Sequence, residues 1–292
     1  MINANIKKGL ARLGIDTRKL AQGVCRFSVK LASRENGFED LVKRLRKIVP
    51  DISRQESSGE DVFNEYWELK RRTLQAFQCS MMVKALEFLP SGKLNVVDIG
   101  DSAGTHMLYL KELCKKKDID IDSVSVNLDS RAIEKIKSRG LKAMLCRAEE
   151  LDLGGKPVDL FTSFQMVEHL HDPAIFFRRL AKKTSGNLMV ITVPYLKKSR
   201  VGLHSLRDKR DKLIYAENEH IFELSPKDWS LLFLHSGWRV IHDEIYHQYP
   251  RKIPLVRHIF ARYWRLVDFE GFWGAILKRD TSLSDLYQDW PV

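Results

Sequence analysis

The alternation of short apolar runs with amphipathic segments, which starts at Leu94, limits the fold of this chain more than any other feature. Each apolar run is six or seven residues long, a length typical of a buried strand. The runs are LNVVDI, SVSVNL, LKAMLC, VDLFTSF and NLMVITV, and the segments of helical spacing between them are THMLYLKELCKKK, SRAIEKIKSR and PAIFFRRLAKK. Near-continuous apolar strands separated by helices predict a parallel sheet with helices on both faces.

Capping residues and alternation predict one more helix and two more strands after this part. SPKDWSLLFLHSG has Ser225 as N-cap and Pro226 at the first helical position, and Gly237 ends the helix. WRVIHDEIYHQ then alternates as a strand, and GFWGAILKRD has the composition of a last strand. Together these elements predict an α/β fold.

The first 88 residues show helical spacing without strand alternation. The helical segments are IKKGLARLG, FEDLVKRLRKIV and FNEYWELKRRTLQAFQCSMMVKALEFL, and the polar PDISRQESSGED between the last two is typical of a linker. We therefore predict a basic helical N-terminal extension over residues 1–69, an α/β domain over 70–280 and a C-terminal tail over 281–292.

The net charge of +11 is concentrated in two parts of the chain. Residues 1–50 hold twelve Lys and Arg against four acidic residues. Residues 249–265 hold five and no acidic residue, with aromatic and aliphatic residues between them, so we treat 249–267 as a basic amphipathic insertion. This pattern predicts contact with a polyanion, either an anionic membrane surface or nucleic acid; a solvated basic surface that aids solubility is the alternative.

Cysteine usage and hydropathy favour the cytoplasm. Four scattered cysteines, without a Cys-x-x-Cys pair or a partnering histidine cluster, indicate neither a disulfide framework nor a zinc site. The sequence has no apolar run of the roughly 18 residues that a membrane span needs, and MINANIKKGL lacks the apolar centre of a signal peptide. We expect a cytoplasmic protein with peripheral contact to the inner membrane face.

The stretch GDSAG, residues 100–104, has two incompatible interpretations. As Gly-x-Ser-x-Gly it is typical of a nucleophile elbow, in which Ser102 attacks an ester. That motif lies in the middle of a hydrolase sheet and needs a glycine-rich oxyanion loop before it, whereas only helical segments precede this strand. We therefore favour a glycine-bearing turn after the first strand, where a nucleotide-like cofactor binds.

Residues at the ends of the first two strands suit such a cofactor. Gly100 and Gly104 allow backbone conformations and a close approach that a side chain would block. Asp98, at the end of the first strand, can accept hydrogen bonds from the turn or from a cationic ligand. Asp129 follows the second strand, where a carboxylate could take both ribose hydroxyls.

Five ordered motifs resemble those of class I S-adenosylmethionine-dependent methyltransferases. They are VVDIGDSAG, VNLDS, AEEL, SFQMVEHLHDP and MVITVPY, and the resemblance covers roughly residues 70–280. It implies a Rossmann-like, seven-stranded, mostly parallel sheet with an antiparallel last strand, and S-adenosylmethionine as cofactor.

The resemblance also implies the cofactor-binding residues. They are Asp98, Gly100, Ser102 and Gly104 around the methionine part, Asp129 at the ribose, Ala148 and Glu149 at the adenine, and Gln165 at the mouth of the active site. Two positions depart from the family pattern: Asp101-Ser102-Ala103 stands where a glycine or cysteine and then a glycine are usual, and Arg147 replaces an acidic residue near the adenine. A degenerate domain that serves only as a binding scaffold is therefore the alternative to an enzyme.

Candidate bases follow the fourth and fifth predicted strands. Methyl transfer from a sulfonium needs positioning, plus a base when the acceptor is a hydroxyl. A neutral histidine suits that task, and we predict His169, His220 and Tyr195 as catalytic residues. For His169 the alternative is a capping or packing role at the start of the next helix.

The segments QMVEH and NEH raise the question of a metal. They resemble the Glu-x-x-Glu-His motif and distant histidine that hold a magnesium-type ion in methyltransferases of small-RNA ends. Here Gln165 stands in place of the first glutamate, which removes a charge, and Glu-His-Leu is common in related enzymes that bind no metal. We therefore predict no metal.

The basic segments bear on the acceptor. IKKGLARLGIDTRKL resembles the N-termini of methyltransferases from bacterial surface-polysaccharide gene clusters, and with residues 249–265 it could dock on an anionic membrane. We predict O-methylation of a sugar hydroxyl on a lipid-linked or cell-surface glycan. Nucleic acid is not favoured, because no RNA-binding module precedes the core; small-molecule or lipid methylation is a further alternative.

Overall fold

A computed structural model describes most of the chain. The described residues are 17–52, 65–115, 117–202, 219–267 and 269–291. The predicted helix IKKGLARLG and most of the predicted linker PDISRQESSGED lie outside these ranges.

The chain divides into two compact units. One comprises Met1–Phe77 and Tyr246–Phe272, and the other comprises Gln78–Ile245 and Trp273–Val292. The basic insertion therefore belongs to the same unit as the N-terminal helices, although most of the sheet lies between them in sequence. The division into an extension, a domain and a tail at residues 69 and 280 stays a prediction.

The described residues begin with helices, and strands interspersed with helices follow. The helices are α1 (Thr17–Glu35), α2 (Glu39–Ile48), α3 (Glu65–Ala85), α4 (Thr105–Cys114), α5 (Ser130–Ser138), α6 (Pro173–Lys183), α7 (Pro226–His235) and α8 (Pro254–Val267). The strands are β1 (Gly92–Ile99), β2 (Ile119–Asn127), β3 (Lys142–Leu145), β4 (Leu160–Phe164), β5 (Leu188–Pro194), β6 (Arg200–Val201), β7 (Phe222–Glu223), β8 (Trp238–His247) and β9 (Gly271–Arg279).

Seven of the strands form one sheet in the order β3-β2-β1-β4-β5-β9-β8, mostly parallel with antiparallel final strands. In its register Val97 of β1 pairs with Val124 of β2 on one side and with Phe161 of β4 on the other. The strand order reverses between β1 and β4, so a crevice opens at their carboxyl ends. The predicted Rossmann-like fold is confirmed; the antiparallel pair of β6 and β7 was not predicted.

Burial on both faces explains why the central strands are apolar throughout. Every residue of β4 and β5 is buried. On one face the rings of Phe177 and Phe233 lie 4.7 Å apart, and Phe233 stacks on Trp273 at 6.2 Å. The indole nitrogen of the buried Trp238 donates to the carbonyl oxygen of Phe177 at 2.8 Å, which satisfies its only polar atom.

Local capping begins the helices where the sequence predicts. The Ser225 hydroxyl accepts from the backbone N–H of Asp228, Pro226 occupies the first turn of α7, and Gly237 follows its end at φ 95°. Likewise, the Asp172 carboxylate accepts from the N–H of Ile175 at the start of α6. These side chains satisfy N–H groups that have no partner within the helix.

In the first unit, α1 and α8 pack against each other. The indole nitrogen of the fully buried Trp264 donates to the hydroxyl of Ser28 at 3.0 Å. The Tyr263 hydroxyl donates to the carbonyl oxygen of Ala21 at 3.4 Å.

Among the described residues, none of the helices combines the length and the apolarity that a membrane crossing needs.

Replacing Gly271, the first residue of β9, by alanine should destabilise the protein. A Cβ atom there would meet the carbonyl oxygen of Tyr246 and lie 2.9 Å from Cα of His247, and backbone atoms cannot turn away as a side chain can. We expect urea denaturation to give a free energy of unfolding lower by roughly 1–3 kcal/mol. The control is Gly23→Ala in α1, where no atom lies within 4 Å; it should gain about 0.5–1 kcal/mol. Equal stability of the two variants would contradict the close backbone approach.

Candidate active site

The turn after β1 is held by a buried carboxylate. Asp101 Oδ1 accepts from the backbone N–H of Ala103 at 3.1 Å and of Gly104 at 2.8 Å. Its Oδ2 accepts from the Ser125 hydroxyl of β2 at 2.9 Å. The residue that departs from the usual loop pattern is therefore the one that ties the turn to the neighbouring strand.

Electrostatic interactions between the buried groups at this turn shift their pKa values. Burial, together with the neighbouring charge of Asp98, raises the pKa of Asp101 to about 6. Burial opposes protonation of His106, but its hydrogen bond to Asp98 and the charges of Asp98 and Asp101 raise its pKa above the ordinary value. Both changes reduce the repulsion between two buried carboxylates.

The two glycines of the turn have different reasons to be glycine. Gly100 has φ 92°, and a Cβ atom there would lie 2.5 Å from Cγ of Met166. Gly104 has φ 74°, and its Cβ would meet the side chain of Leu141. Gly100 thus makes room for the side chain of Met166, whereas Gly104 makes room for that of Leu141.

A buried polar network joins the carboxyl ends of β1, β4 and β5. Asp98 accepts from the Thr162 hydroxyl at 2.7 Å and lies 3.5 Å from Nδ1 of His106. His106 Nε2 lies 3.1 Å from the amide oxygen of Gln78, whose nitrogen donates to the Thr192 hydroxyl at 3.1 Å. Asp98, predicted to border the methionine part, is 1% exposed and part of this network.

Gln165, at the predicted mouth, belongs to the same network. Its side-chain nitrogen donates to the Thr192 hydroxyl at 3.2 Å, and its backbone N–H donates to the Thr192 carbonyl oxygen at 2.8 Å. Its φ of 54° is one of two positive values for residues other than glycine among the described residues. Strained backbone of this kind is common at functional sites.

A cavity of about 270 Å³ lies at the carboxyl ends of β1, β2 and β4. Of the predicted residues, it is lined by Gly100, Ser102, Ala148, Glu149 and His169. Its other lining residues are Ile99, Val126, Asn127, Leu128, Cys146, Arg147, Met166, Leu170 and His171. The structure therefore brings the turn, the end of β2 and the segment after β4 together around one space.

The structure places Asp129 at a helix cap. Its carboxylate accepts from the backbone N–H of Arg131 at 2.9 Å and pairs with that guanidinium, which holds the pKa of Asp129 below its ordinary value. Asn127, the last residue of β2, lines the cavity instead. The Asn127 amide donates to the carbonyl oxygen of Asp101 at 2.9 Å and accepts from the Asp129 N–H at 2.8 Å, which leaves one N–H and one lone pair for a ligand.

Two predicted catalytic histidines meet beside this cavity. The rings of His169 and His220 lie 4.7 Å apart, edge to face. The Ile221 N–H donates to the Glu168 carbonyl oxygen at 2.8 Å, which fixes the segment of His220 against the turn of His169. Tyr195, the third predicted catalytic residue, is partly buried against the core of the sheet and is not among the cavity-lining residues.

The hydrogen bonds of the two rings determine their orientation. His169 Nδ1 lies 2.9 Å from the carbonyl oxygen of Glu219, and because a carbonyl only accepts, Nδ1 carries the proton and Nε2 the lone pair of the neutral ring. His220 Nδ1 lies 3.1 Å from the carboxylate of Glu223. Burial opposes ionisation of Glu223, but its hydrogen bonds from His220 and Arg200 keep its pKa below the ordinary value.

Glu168, the glutamate of the QMVEH segment, is set apart by its burial. It is fully buried, and neither carboxylate oxygen has a hydrogen-bond partner among the described residues. Burial raises its pKa to about 7, against the opposing charge of His220. One potential ligand atom from each of Glu168, His169 and His220 lies within 4.8 Å of the others, so these three residues could hold a metal ion.

Comparison with known protein families identifies the chain. A family described as "Methyltransferase domain" matches residues 38–243, well over half of the sequence. The chain belongs to this methyltransferase family. It is a class I methyltransferase whose cofactor is S-adenosylmethionine, as the order of its motifs predicted.

Solved structures agree on the fold of this methyltransferase. The (4+2) cyclase SpnF is 10% identical with a TM-score of 0.52, over 85% of this chain and 96% of that one. The 1,6-didemethyltoxoflavin-N1-methyltransferase of Burkholderia thailandensis, solved with its substrate and S-adenosylhomocysteine, is 12% identical with a TM-score of 0.50, over 71% and 78%. No curated protein sequence matches the chain.

The residues around the cavity fit S-adenosylmethionine. The turn of Gly100 and Ser102 borders the cavity, Leu128 offers an exposed apolar face, and Asn127 and Glu149 offer hydrogen-bonding groups. Ser102 lies at this cavity, which agrees with the interpretation of the turn as a cofactor-binding loop rather than a nucleophile elbow. The roles of the individual binding residues stay predictions.

Two substitutions should separate the roles of Asn127 and Asp129. Asn127→Ala should weaken S-adenosylhomocysteine binding by about tenfold, because it removes an amide at the cavity. Asp129→Ala should leave this affinity unchanged and cost about 1 kcal/mol of stability, as the loss of a helix cap does. Calorimetry gives the affinity and thermal unfolding the stability. If Asp129→Ala alone abolishes binding, the sequence-based assignment of the ribose to Asp129 is right.

Proposed function

We propose that this methyltransferase O-methylates a sugar hydroxyl of a lipid-linked or cell-surface glycan. The observation that carries the proposal is the imidazole pair of His169 and His220 beside the cofactor cavity. A hydroxyl acceptor must lose its proton during methyl transfer, and a neutral imidazole is the side chain best suited to take it near neutral pH.

The cofactor's contribution is an electrophilic methyl group on a sulfonium that is already a good leaving group. The chain must therefore position the acceptor oxygen in line with that methyl group and take its proton. We assign Asp98, Gly100, Ser102 and Gly104 to the methionine end and Ala148 and Glu149 to the adenine end. For the ribose we assign Asn127 rather than the Asp129 of the sequence prediction, because Asn127 lines the cavity and Asp129 caps α5.

His169 is the stronger candidate for the base. It lines the cavity, and the Glu219 carbonyl oxygen fixes the tautomer whose lone pair is on Nε2. His220, paired with Glu223, forms a carboxylate–imidazole dyad next to it. Once His169 takes a proton, the carboxylates of Glu223 and Glu168 stabilise the positive charge. Tyr195 stays a weaker third candidate.

The charge of the protein supports a membrane-associated glycan acceptor. The Lys and Arg excess is in residues 1–50 and 249–265, whereas the cavity-lining residues lie between positions 99 and 171 of the sequence. Such basic segments would hold the enzyme at an anionic membrane while the cavity takes the sugar. Peripheral contact with the inner membrane face is part of this proposal; an RNA or small-molecule acceptor is the alternative.

Labelled S-adenosylmethionine and fractionated cell extract test the acceptor directly. We expect the label in the lipid-linked or surface-glycan fraction, and we expect it to be released as a methyl sugar after acid hydrolysis. Label in RNA or in small molecules would contradict the glycan acceptor. If S-adenosylhomocysteine does not bind in calorimetry, the domain is a scaffold rather than an enzyme.

His169→Ala should lower the rate of methyl transfer by about 100-fold or more, because it removes the general base. S-adenosylhomocysteine affinity should stay close to that of the wild type. The control is His242→Ala on β8, which removes an imidazole outside the cavity lining. It should keep the wild-type rate of methyl transfer and the wild-type affinity for S-adenosylhomocysteine. A single-turnover assay with the labelled fraction measures the rate. A His169→Ala enzyme with wild-type rate would assign this residue to packing.

A divalent ion at Glu168, His169 and His220 is a second candidate for part of the chemistry, although the sequence predicted no metal. The observation that favours it is the fully buried Glu168 carboxylate, which lacks a hydrogen-bond partner among the described residues. Nδ1 of His169 lies against the Glu219 carbonyl oxygen, and Nδ1 of His220 lies against the Glu223 carboxylate. Proteins commonly orient metal-bound imidazoles through such an acceptor on the nitrogen that does not bind the metal. Two imidazoles and one carboxylate suit a first-row transition ion.

Thermal unfolding with Mn²⁺ or Zn²⁺ tests this site without an activity assay. The wild-type protein should melt at a higher temperature with the ion, because binding to the folded state alone stabilises it. Glu168→Gln should lose that increase, and the exposed Glu150→Gln should keep it. An equal increase in all three proteins would indicate adventitious binding, and the absence of any increase would leave the imidazole pair as the base.

A further inference from the structure

Helix α8 carries apolar side chains on two opposite faces. Ala261 and Trp264 are buried against α1, with the Trp264 indole bonded to Ser28. On the other side Leu255 is 74% exposed, Ile259 62% and Leu266 63%. Positions 255, 259 and 266 fall on one stripe at 100° per residue, roughly opposite Trp264. We call these three residues the α8 stripe.

Such exposure is concentrated in the unit that contains α1 and α8. Seven of the sixteen large hydrophobic side chains that are exposed among the described residues lie in α1, in α8 or directly before α8. They are Leu20, Val24, Phe27, Ile253, Leu255, Ile259 and Leu266. Scattered apolar residues on a surface are ordinary, but exposed residues clustered at helical spacing mark an interaction surface.

The cations around the α8 stripe indicate its partner. Residues 251–265 contain Arg251, Lys252, Arg257, Arg262 and Arg265 and no acidic residue, and Arg262 lies within the stripe itself. Long arginine and lysine side chains can extend from an apolar surface to a phosphate group. Aliphatic residues bordered by cations are the pattern of a helix that lies in the interface of an anionic bilayer.

Building on the peripheral membrane contact of the proposed function, we propose that the α8 stripe inserts into the headgroup region of an anionic membrane and thereby docks the enzyme on the bilayer surface. α8 has 14 residues and so extends about 21 Å, too short to span a bilayer but sufficient to lie along one. Trp264 and Ser28 hold the helix on α1 with the stripe outward, so no refolding precedes insertion. α1 adds its own exposed residues Leu20, Val24 and Phe27 to the same unit.

Two other partners explain less of this surface. A second copy of the chain would bring the same positive charge against itself across a two-fold interface, which is unfavourable. RNA would match the charge, but proteins that bind single strands place aromatic rings against the bases. Leucine and isoleucine on the stripe contribute nothing to such stacking, whereas a bilayer accommodates them.

Vesicle co-sedimentation of the full chain tests the proposal. We expect binding to phosphatidylcholine vesicles that contain phosphatidylglycerol and little binding to phosphatidylcholine alone. The variant Leu255→Ser/Ile259→Ser/Leu266→Ser should bind these vesicles at least about tenfold more weakly than the wild type, since three apolar side chains no longer insert. Lys252→Gln/Arg262→Gln should lower binding and its salt dependence. The matched control Leu231→Ser/Leu286→Ser removes exposed apolar residues elsewhere and should bind as the wild type does.

Each remaining outcome overturns the proposal. Wild-type protein that stays in solution with anionic vesicles, or a stripe variant that binds them fully, excludes docking through α8. A gel shift with RNA that only the charge variant loses assigns the surface to RNA, and self-association in sedimentation velocity that the stripe variant loses assigns it to a second copy. S-adenosylhomocysteine affinity is measured for every variant, so failure of docking is distinguishable from failure of the proposed methyl transfer.

Discussion

The buried carboxylate of Asp101 is the interaction on which the active site depends. It binds two N–H groups of the turn and a hydroxyl of the neighbouring strand, so one side chain fixes both the turn and its position against β2. Burying a second carboxylate so close to Asp98 is unfavourable, and burial together with the charge of Asp98 raises the pKa of Asp101 to about 6. In this loop, which departs from the usual glycine pattern, a side chain therefore holds the turn.

The parallel sheet turns these local interactions into one site. Parallel strands end at the same edge, so the turn of Ser102, the end of β2 at Asn127 and the segment of His169 meet although they are far apart in sequence. The same fold occurs in the (4+2) cyclase SpnF, so the sheet supplies a place for chemistry rather than a particular reaction. In our proposal, the imidazoles of His169 and His220 and the buried Glu168 decide the reaction of this enzyme.

Much of the fold could be predicted, because it follows from local patterns. Apolar runs of strand length between amphipathic helices require a covered parallel sheet, and Ser225 with Pro226 can only begin a helix. The roles of individual residues in the site could be predicted less well from the sequence. Asn127 ends β2 and Asp129 lies two positions beyond it, where an acidic residue is equally suited to a ribose and to a helix cap. Only the position of the strand end separates these roles.

The sequence by itself determined the family, the cofactor and the order of the elements, since each depends on residues close together in the chain. Tertiary structure alone decided which side chains lack partners and which faces are exposed, because burial depends on contacts between distant segments. The sequence placed Glu168 in a motif that raised the question of a metal, but only the structure showed that its carboxylate is buried beside His220. Likewise, the sequence predicted a basic amphipathic segment at residues 249–267, and the packing of Trp264 on α1 fixed which apolar face points outward.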